Sequence, residues 1–208
     1  LSQSIYSVFY TAGEPNGILA DHTLKAPSTD EIQSFFSSLS DANQTVQSWN
    51  GGWTLYSMDQ LGNNYVIKNG EMRRLVQGQW KSEIPGSSPL TVGSVVSIFA
   101  PKESTDPNSY FYFAYGRELF PQDIPLIRFY FNLNPDHAAS WLKKLSETLN
   151  RLRVPYCYKC PVHPNYYHRT DAGVLYVAKA SFQITVKVLD YLVKRSKETF
   201  KDKTPLFP

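Results

Sequence analysis

The run that most constrains the fold is "PLIRFYFNLNPDHAASWLKKLSETLNRLRVPYCYKCP", residues 125–161. Its first part alternates. Ile127, Phe129, Phe131 and Leu133 share one side of an extended chain, and Leu126, Arg128, Tyr130 and Asn132 share the other, which predicts a strand over 126–133. The period then changes. Asn134 is a natural N-cap, and Pro135 suits the first helical position because its missing N–H would be unpaired there anyway. Ala138, Trp141, Leu142, Leu145, Leu149 and Leu152 recur at helical spacing until Pro155, and "YCYKC" resumes the two-residue alternation. A strand, a crossover helix and a second strand in one stretch call for a sheet with a helix laid on one face.

The flanking text agrees. In "STDEIQSFFSSL" (28–39), Ser28 and Glu31 form a capping-box pattern, and Ile32, Phe35, Phe36 and Leu39 make an apolar helical face. After Trp49 come short aromatic and β-branched runs, "GGWTLYSM" and "NYVIKNGEMRRLV". The second is split by Asn69-Gly70, which tolerates the positive φ angles of a tight hairpin turn. "TVGSVVSIF" (91–99), "SYFYFAYG" (109–116) and "GVLYVAK" read as further strands, and "EIPGSSPLTVG" (83–93) as a surface loop. A last helix is expected over 183–201, with Val188, Leu189, Leu192, Val193 and Phe200 on one stripe. Strands fill the middle, and helices sit at both ends and in one crossover. The expected class is therefore α+β, a central and largely antiparallel sheet with helices packed against it. With no internal repeat and no linker-like stretch, residues 1–208 read as a single domain. Residues 1–48 form its helical N-terminal portion and 49–208 its sheet-rich core.

Composition narrows the partners. The 42% hydrophobic and 19% charged residues are those of a folded chain. Net charge is +3, from 21 Lys+Arg against 18 Asp+Glu, without the clustered basic stripe that nucleic acid would select. No apolar run approaches the ~20 residues of a membrane helix, so neither nucleic acid nor membrane is expected as a partner. The start, "LSQSIYSVFYTAGEP", has neither a basic n-region nor a long apolar h-region, and is not expected to be a secretory signal. Two cysteines argue against a disulfide scaffold and for a reducing, cytoplasmic setting.

The chemistry concentrates in "VPYCYKCPVHPNYYHRTDAG", residues 154–173. Cys157, Cys160, His163 and His168 offer ligand types that zinc prefers. However, in a strand Cys157 and Cys160 fall on opposite faces and cannot chelate together, so no metal is expected. A redox Cys-x-x-Cys would sit at a helix N-terminus, whereas this pair follows a helix and precedes Pro161. Neither a Gly-rich phosphate cradle nor a G-x-S-x-G elbow is present. Asp59, Glu71, Glu103 and Asp171 are too scattered to mark an acid/base couple. What remains is cationic. Lys159 can be an edge lysine that snorkels to water, Arg128 can be paired with Asp171, and Arg169 can simply stabilise its turn. Alternatively Lys159, His168, Arg169 and Arg128, all at strand ends or in the connecting loop, converge on one pocket that suits a phosphate.

The segments "SYFYFAYG", "IRFYFNLNPDHAASWLKKLSETLNRLRVPYCYKCP", "YYHRTDAGVLYV" and "TPLF" resemble, in that order, the HopA-type effector domain. That domain is found in a type III secretion effector of plant pathogens and in many other bacterial proteins. Related domains accompany kinase-like partners in class V lanthipeptide and thioamide-peptide pathways, where they are implicated as phospho-Ser/Thr lyases. The likeness spans roughly residues 49–208 and is weaker in "IYSVFYTAGEP". It marks Arg128, Lys159, Tyr167, Arg169 and Asp171, with Gly116 and Arg117 after the "FYFAYG" strand. The resemblance implies β-elimination of phosphate from a phosphorylated peptide, with no cofactor. Lys159 would be the base, His168 or else Tyr167 the acid, Arg128, Arg169 and Arg117 the phosphate ligands, and Asp171 the residue that orients Arg169. It further implies a peptide substrate, a possible kinase-like partner protein, and a bacterial cytoplasmic location, or delivery into a host cell for a type III effector. The other implied role is a non-catalytic effector-like or scaffold domain that binds a peptide or kinase partner. The family runs on past "TPLF" into a Gly- and Ser-rich tail that helps line the site, whereas this sequence stops at Pro208.

Overall fold

The computed structural model describes residues 26–86, 89–104, 110–121 and 124–201. Among these, three α-helices and nine strands fall into two compact units, and no helix is long and apolar enough to cross a membrane. One unit comprises the chain up to Thr45 and from Lys102 onward; the other is Val46–Pro101. The class is α+β, as the alternation predicts.

Unit Val46–Pro101 is a five-stranded antiparallel sheet. Its strands are β1 (Ser48–Met58), β2 (Asn64–Lys68), β3 (Glu71–Arg74), β4 (Trp80–Ser82) and β5 (Val95–Ala100), in the order β3-β2-β1-β5-β4. The β2–β3 hairpin turns on Asn69 and Gly70 at φ 51° and 81°, the positive pair that the sequence predicts. Trp53, Leu55, Val66 and Val96 are buried. The expected strand over 91–99 begins only at Val95, because Gly93 (φ 93°) belongs to the turn before it.

The other unit holds a four-stranded antiparallel sheet in the order β6-β8-β9-β7. Its strands are β6 (Phe111–Tyr115), β7 (Leu126–Phe131), β8 (Tyr156–Pro161) and β9 (Gly173–Ala178). Helices α1 (Thr29–Ala42), α2 (Ala138–Arg151) and α3 (Phe182–Lys194) complete it. The capping box forms as read. The Glu31 N–H donates to Ser28 Oγ at 3.2 Å, and the Ser28 N–H donates to Glu31 Oε2 at 2.7 Å. Asn134 caps a short 3-10 turn, Pro135–His137, that leads into α2.

The core lies on one face of this sheet. Trp141, Leu142, Leu145 and Leu149 of α2 and Leu189 and Leu192 of α3 cluster with Tyr112, Phe131, Tyr156, Tyr158, Cys160, Leu175 and Val177 of the strands. Burying aromatic side chains removes the most apolar area, provided that each polar tip finds a partner. Tyr112 donates to Glu103 Oε2 at 2.6 Å, and the Tyr156 hydroxyl lies 3.1 Å from Thr45 Oγ1.

Two expectations are corrected at the edges. The last helix ends at Lys194, not near 201. A 3-10 turn, Lys197–Thr199, follows, and Phe200 is extended at φ −110°, ψ 143°. This break lets Phe200 pack on Trp141 and Phe131, with ring centroids 5.0 Å and 6.2 Å away. Strand β7 stops at Phe131, although Leu133 still pairs with Phe200 through an isolated bridge.

Close packing makes Gly173 obligatory. A Cβ at Gly173 would lie 2.8 Å from Leu133 Cδ1 and 2.9 Å from the Tyr158 hydroxyl oxygen. Gly173→Ala is expected to destabilise by about 1–3 kcal/mol through overpacking, read as a lower urea midpoint at unchanged slope.

Candidate functional site

The alternation along β8 decides which side chains can meet. Tyr156, Tyr158 and Cys160 enter the core, so Cys157 and Lys159 stand on the opposite, open face. Cross-strand register sets their neighbours. One transverse row reads Arg128, Tyr176, Cys157, Tyr115, and the next reads Tyr130, Val174, Lys159, Phe113. Arg128 and Lys159 are thus two strand spacings apart and one row out of step, about 12 Å between backbones, a gap that two long side chains can close around a shared anion.

Phe111 is the floor of this face. Lys159 Nζ lies 4.4 Å from its ring centroid, and Arg169 Cζ lies 5.8 Å from the same ring. Arg128 Cζ lies 5.6 Å from the Tyr176 ring. Arg169 is 9% exposed and Asp171 3% exposed. They form a two-pronged pair, in which Arg169 Nε donates to Asp171 Oδ1 at 2.7 Å and Nη2 to Oδ2 at 2.8 Å. Buried charge requires such a partner.

These groups interact electrically. Burial lowers the Lys159 pKa below 10.5, the Asp171 carboxylate opposes that shift, and the Arg169 and Arg128 guanidiniums reinforce it. The neutral amine is therefore more accessible than on an ordinary lysine. Burial pushes the Cys157 thiol up to about 12, with Lys159 opposing, so this thiol stays protonated and unreactive near neutral pH.

The structure thus brings Lys159, Arg128, Arg169 and Asp171 to one face. The remaining candidates lie elsewhere. Tyr167 is 1% exposed in the core, its ring 5.8 Å from that of Phe35 and its hydroxyl donating to Pro161 O at 3.1 Å. His168 is exposed on the same loop, with Nδ1 donating to Asn165 O at 3.0 Å. Arg117 is exposed beyond the end of β6, and its backbone N–H donates to Asn150 Oδ1 at 2.8 Å.

Cys157 and Cys160 stand on opposite faces of β8, and His163 Nδ1 accepts from the Asn165 N–H at 3.2 Å. Among the described residues, no group of three or more His, Cys, Asp and Glu side chains is placed to hold a metal ion.

Two participants escaped sequence reading. Phe111 looks like any other aromatic in "SYFYFAYG"; only the pairing of Phe111 with Pro161 puts it under Lys159 and Arg169. Lys201, expected at the end of a helix, instead donates from Nζ to Tyr167 O at 2.7 Å.

A family model described as the HopA1 effector protein family matches residues 102–208. All of the face just described lies inside that stretch. No curated protein matches the chain.

The Arg169–Asp171 pair yields a direct test. Asp171→Asn keeps the shape but leaves the buried guanidinium without its counter-charge. The expected loss is about 3 kcal/mol of unfolding free energy, measured by urea titration, and a change within experimental error would mean that the pair holds nothing in place.

Proposed function

The chain belongs to the HopA1 effector protein family, and on that premise we propose that its open sheet face is a phosphoserine/phosphothreonine lyase site acting on a peptide. The observation that supports this reading is the gathering of Lys159, Arg169 and Arg128 on one face, with the lysine pKa lowered by burial and by the two guanidiniums. β-Elimination asks for one base at the α-carbon and one anion clamp at the departing oxygen.

In the proposed reaction the neutral Lys159 amine takes the Cα proton of the phosphorylated residue. The C–H pair becomes the Cα=Cβ bond, the Cβ–O bond breaks, and phosphate leaves with that pair. Arg169 and Arg128 hold the phosphate and Asp171 orients Arg169; Arg117, beyond the end of β6 away from Phe111, is a more distant candidate. Because His168 Nδ1 donates to the Asn165 carbonyl, His168 serves as the acid only as the imidazolium, whose Nε2–H gives its proton to the leaving group. Tyr167, with its ring in the core and its phenol held at the Pro161 carbonyl, is not placed to be that acid. As written, the step needs neither metal nor organic cofactor. The substrate must first be phosphorylated, which a kinase-like partner would do, either in bacterial peptide modification or after delivery into a host cell.

One observation favours a second reading. Arg169 is already gripped by Asp171 through both prongs, as a structural pair would be. On that reading the domain is a non-catalytic, effector-like or scaffold module that binds a peptide or kinase partner.

Mass spectrometry of phosphothreonine peptides incubated with the protein separates the two. A lyase releases phosphoric acid and leaves a dehydroamino acid, and Lys159→Met lowers that rate by about 100-fold or more. Binding without phosphate loss would leave only the module. Stability guards the interpretation. With its folded-state pKa below the unfolded 10.5, the Lys159 ammonium opposes folding at neutral pH, and stability rises as pH climbs toward 10.5. Lys159→Met is therefore expected to hold or raise the melting temperature, so that lost activity cannot be ascribed to unfolding.

A further inference from the structure

We propose that Lys201 is a positioning residue which clamps the loop bearing Arg169 and Asp171, so that the C-terminal segment completes the anion seat; this rests on the phosphate-site reading above. The segment that delivers it is firmly anchored. Ser196 is fully buried and its Oγ accepts from Lys144 Nζ at 2.8 Å, and Thr199 O accepts from the Asn134 N–H at 2.9 Å. Phe200 then fills the space between Trp141 and Phe131, and the Lys201 N–H donates to Asn132 O at 2.9 Å.

This pairing fixes the direction of Lys201. Phe200 opposes Leu133 in the bridge, so the next residue lies beside Asn132. Side chains alternate along an extended chain, which turns Lys201 away from the core side taken by Phe200 and onto the side of Asn132, Tyr130 and Arg128. That is the face that carries Lys159.

From there Nζ reaches the Tyr167 carbonyl at 2.7 Å. The lysine thereby fixes the carbonyl side of Tyr167, whose ring is already in the core against Phe35, whose hydroxyl is held at Pro161 O and whose N–H is held at Pro164 O. His168 and Arg169 follow at once, so the placement of this one peptide group sets where the guanidinium begins. The ammonium is partly desolvated at the loop, which lowers its pKa below 10.5. It also adds positive charge on the side of the sheet where a phosphate would sit.

The test compares wild type with Lys201→Met, which keeps the stem and removes the donor, and Lys201→Arg, which restores a cationic donor. Lys201→Gln is a second neutral variant should Met disturb folding, judged by exchange in α2. In hydrogen exchange followed by mass spectrometry, amides of 167–171 are expected to exchange about tenfold faster in Lys201→Met, with α2 unchanged and protection regained in Lys201→Arg. With a phosphothreonine peptide, KM is expected to rise about tenfold in Lys201→Met while kcat changes far less, because binding geometry and not the base is lost. Unchanged protection of 167–171 overturns the clamp whatever the kinetics. Faster exchange with an unchanged KM overturns its part in the anion seat. A wild type that neither binds nor converts the peptide sinks the lyase and phosphate reading instead, and the exchange result still decides whether Lys201 holds the loop.

Discussion

Strand β8 is the constraint on which the site depends. Tyr156, Tyr158 and Cys160 are fully buried, and the pleat leaves Cys157 and Lys159 no choice but the other face. A one-residue slip would drive the ammonium into the aromatic core and bring tyrosines out, so register is strongly specified here. The neighbours reinforce it. Gly173 admits the Tyr158 hydroxyl, and Gly116 lets Tyr156 approach so closely that a Cβ there would lie 2.9 Å from its ring. Two large phenols therefore need two glycines, and the core and the open face are determined together.

Much of this was legible in the sequence because it rests on period. Alternation in 126–133 and in "YCYKC", with the helical stripe between them, placed Arg128 and Lys159 on sheet faces. It also separated Cys157 from Cys160, as the structure has them. Long-range register was not legible. Nothing local says that Phe111 pairs with Pro161, yet that pairing makes a ring common ground for Lys159 and Arg169. The end of the last helix failed for a related reason. Phe200 fits a helical stripe, but the helix stops where the buried Ser196 and Thr199 find partners in Lys144 and Asn134 that hold the chain in a new direction. Tertiary packing overrode a local pattern that gave no sign of it.

The face also shows where stability and chemistry part. A lysine beside Phe111, Phe113 and Val174 is a poor choice for packing, and burial lowers its pKa accordingly. A buried Arg–Asp pair is likewise often no better for stability than apolar residues of similar volume. Sites that break the local logic of a fold are where function is expected to sit. Arrangements of this kind also occur as structural ion pairs, so the chemistry must be argued from the groups and not from the strain.

The proposed elimination contains a conflict which the arginines would resolve. A base must be neutral to take a proton, yet a bound phosphate dianion beside Lys159 would raise its pKa and favour the ammonium. In the free protein Arg169 and Arg128 push the lysine toward the neutral form while Asp171 pulls the other way. With a phosphate bound as proposed, the same guanidiniums would face the anion and cancel much of the field that would protonate Lys159. In the proposed reaction they would therefore act twice, as ligands of the leaving group and as guardians of the base. A single arginine tied up by Asp171 would leave the anion only half compensated, which is a physical reason for cations from two different elements, the β7 strand and the loop before β9, to serve one site.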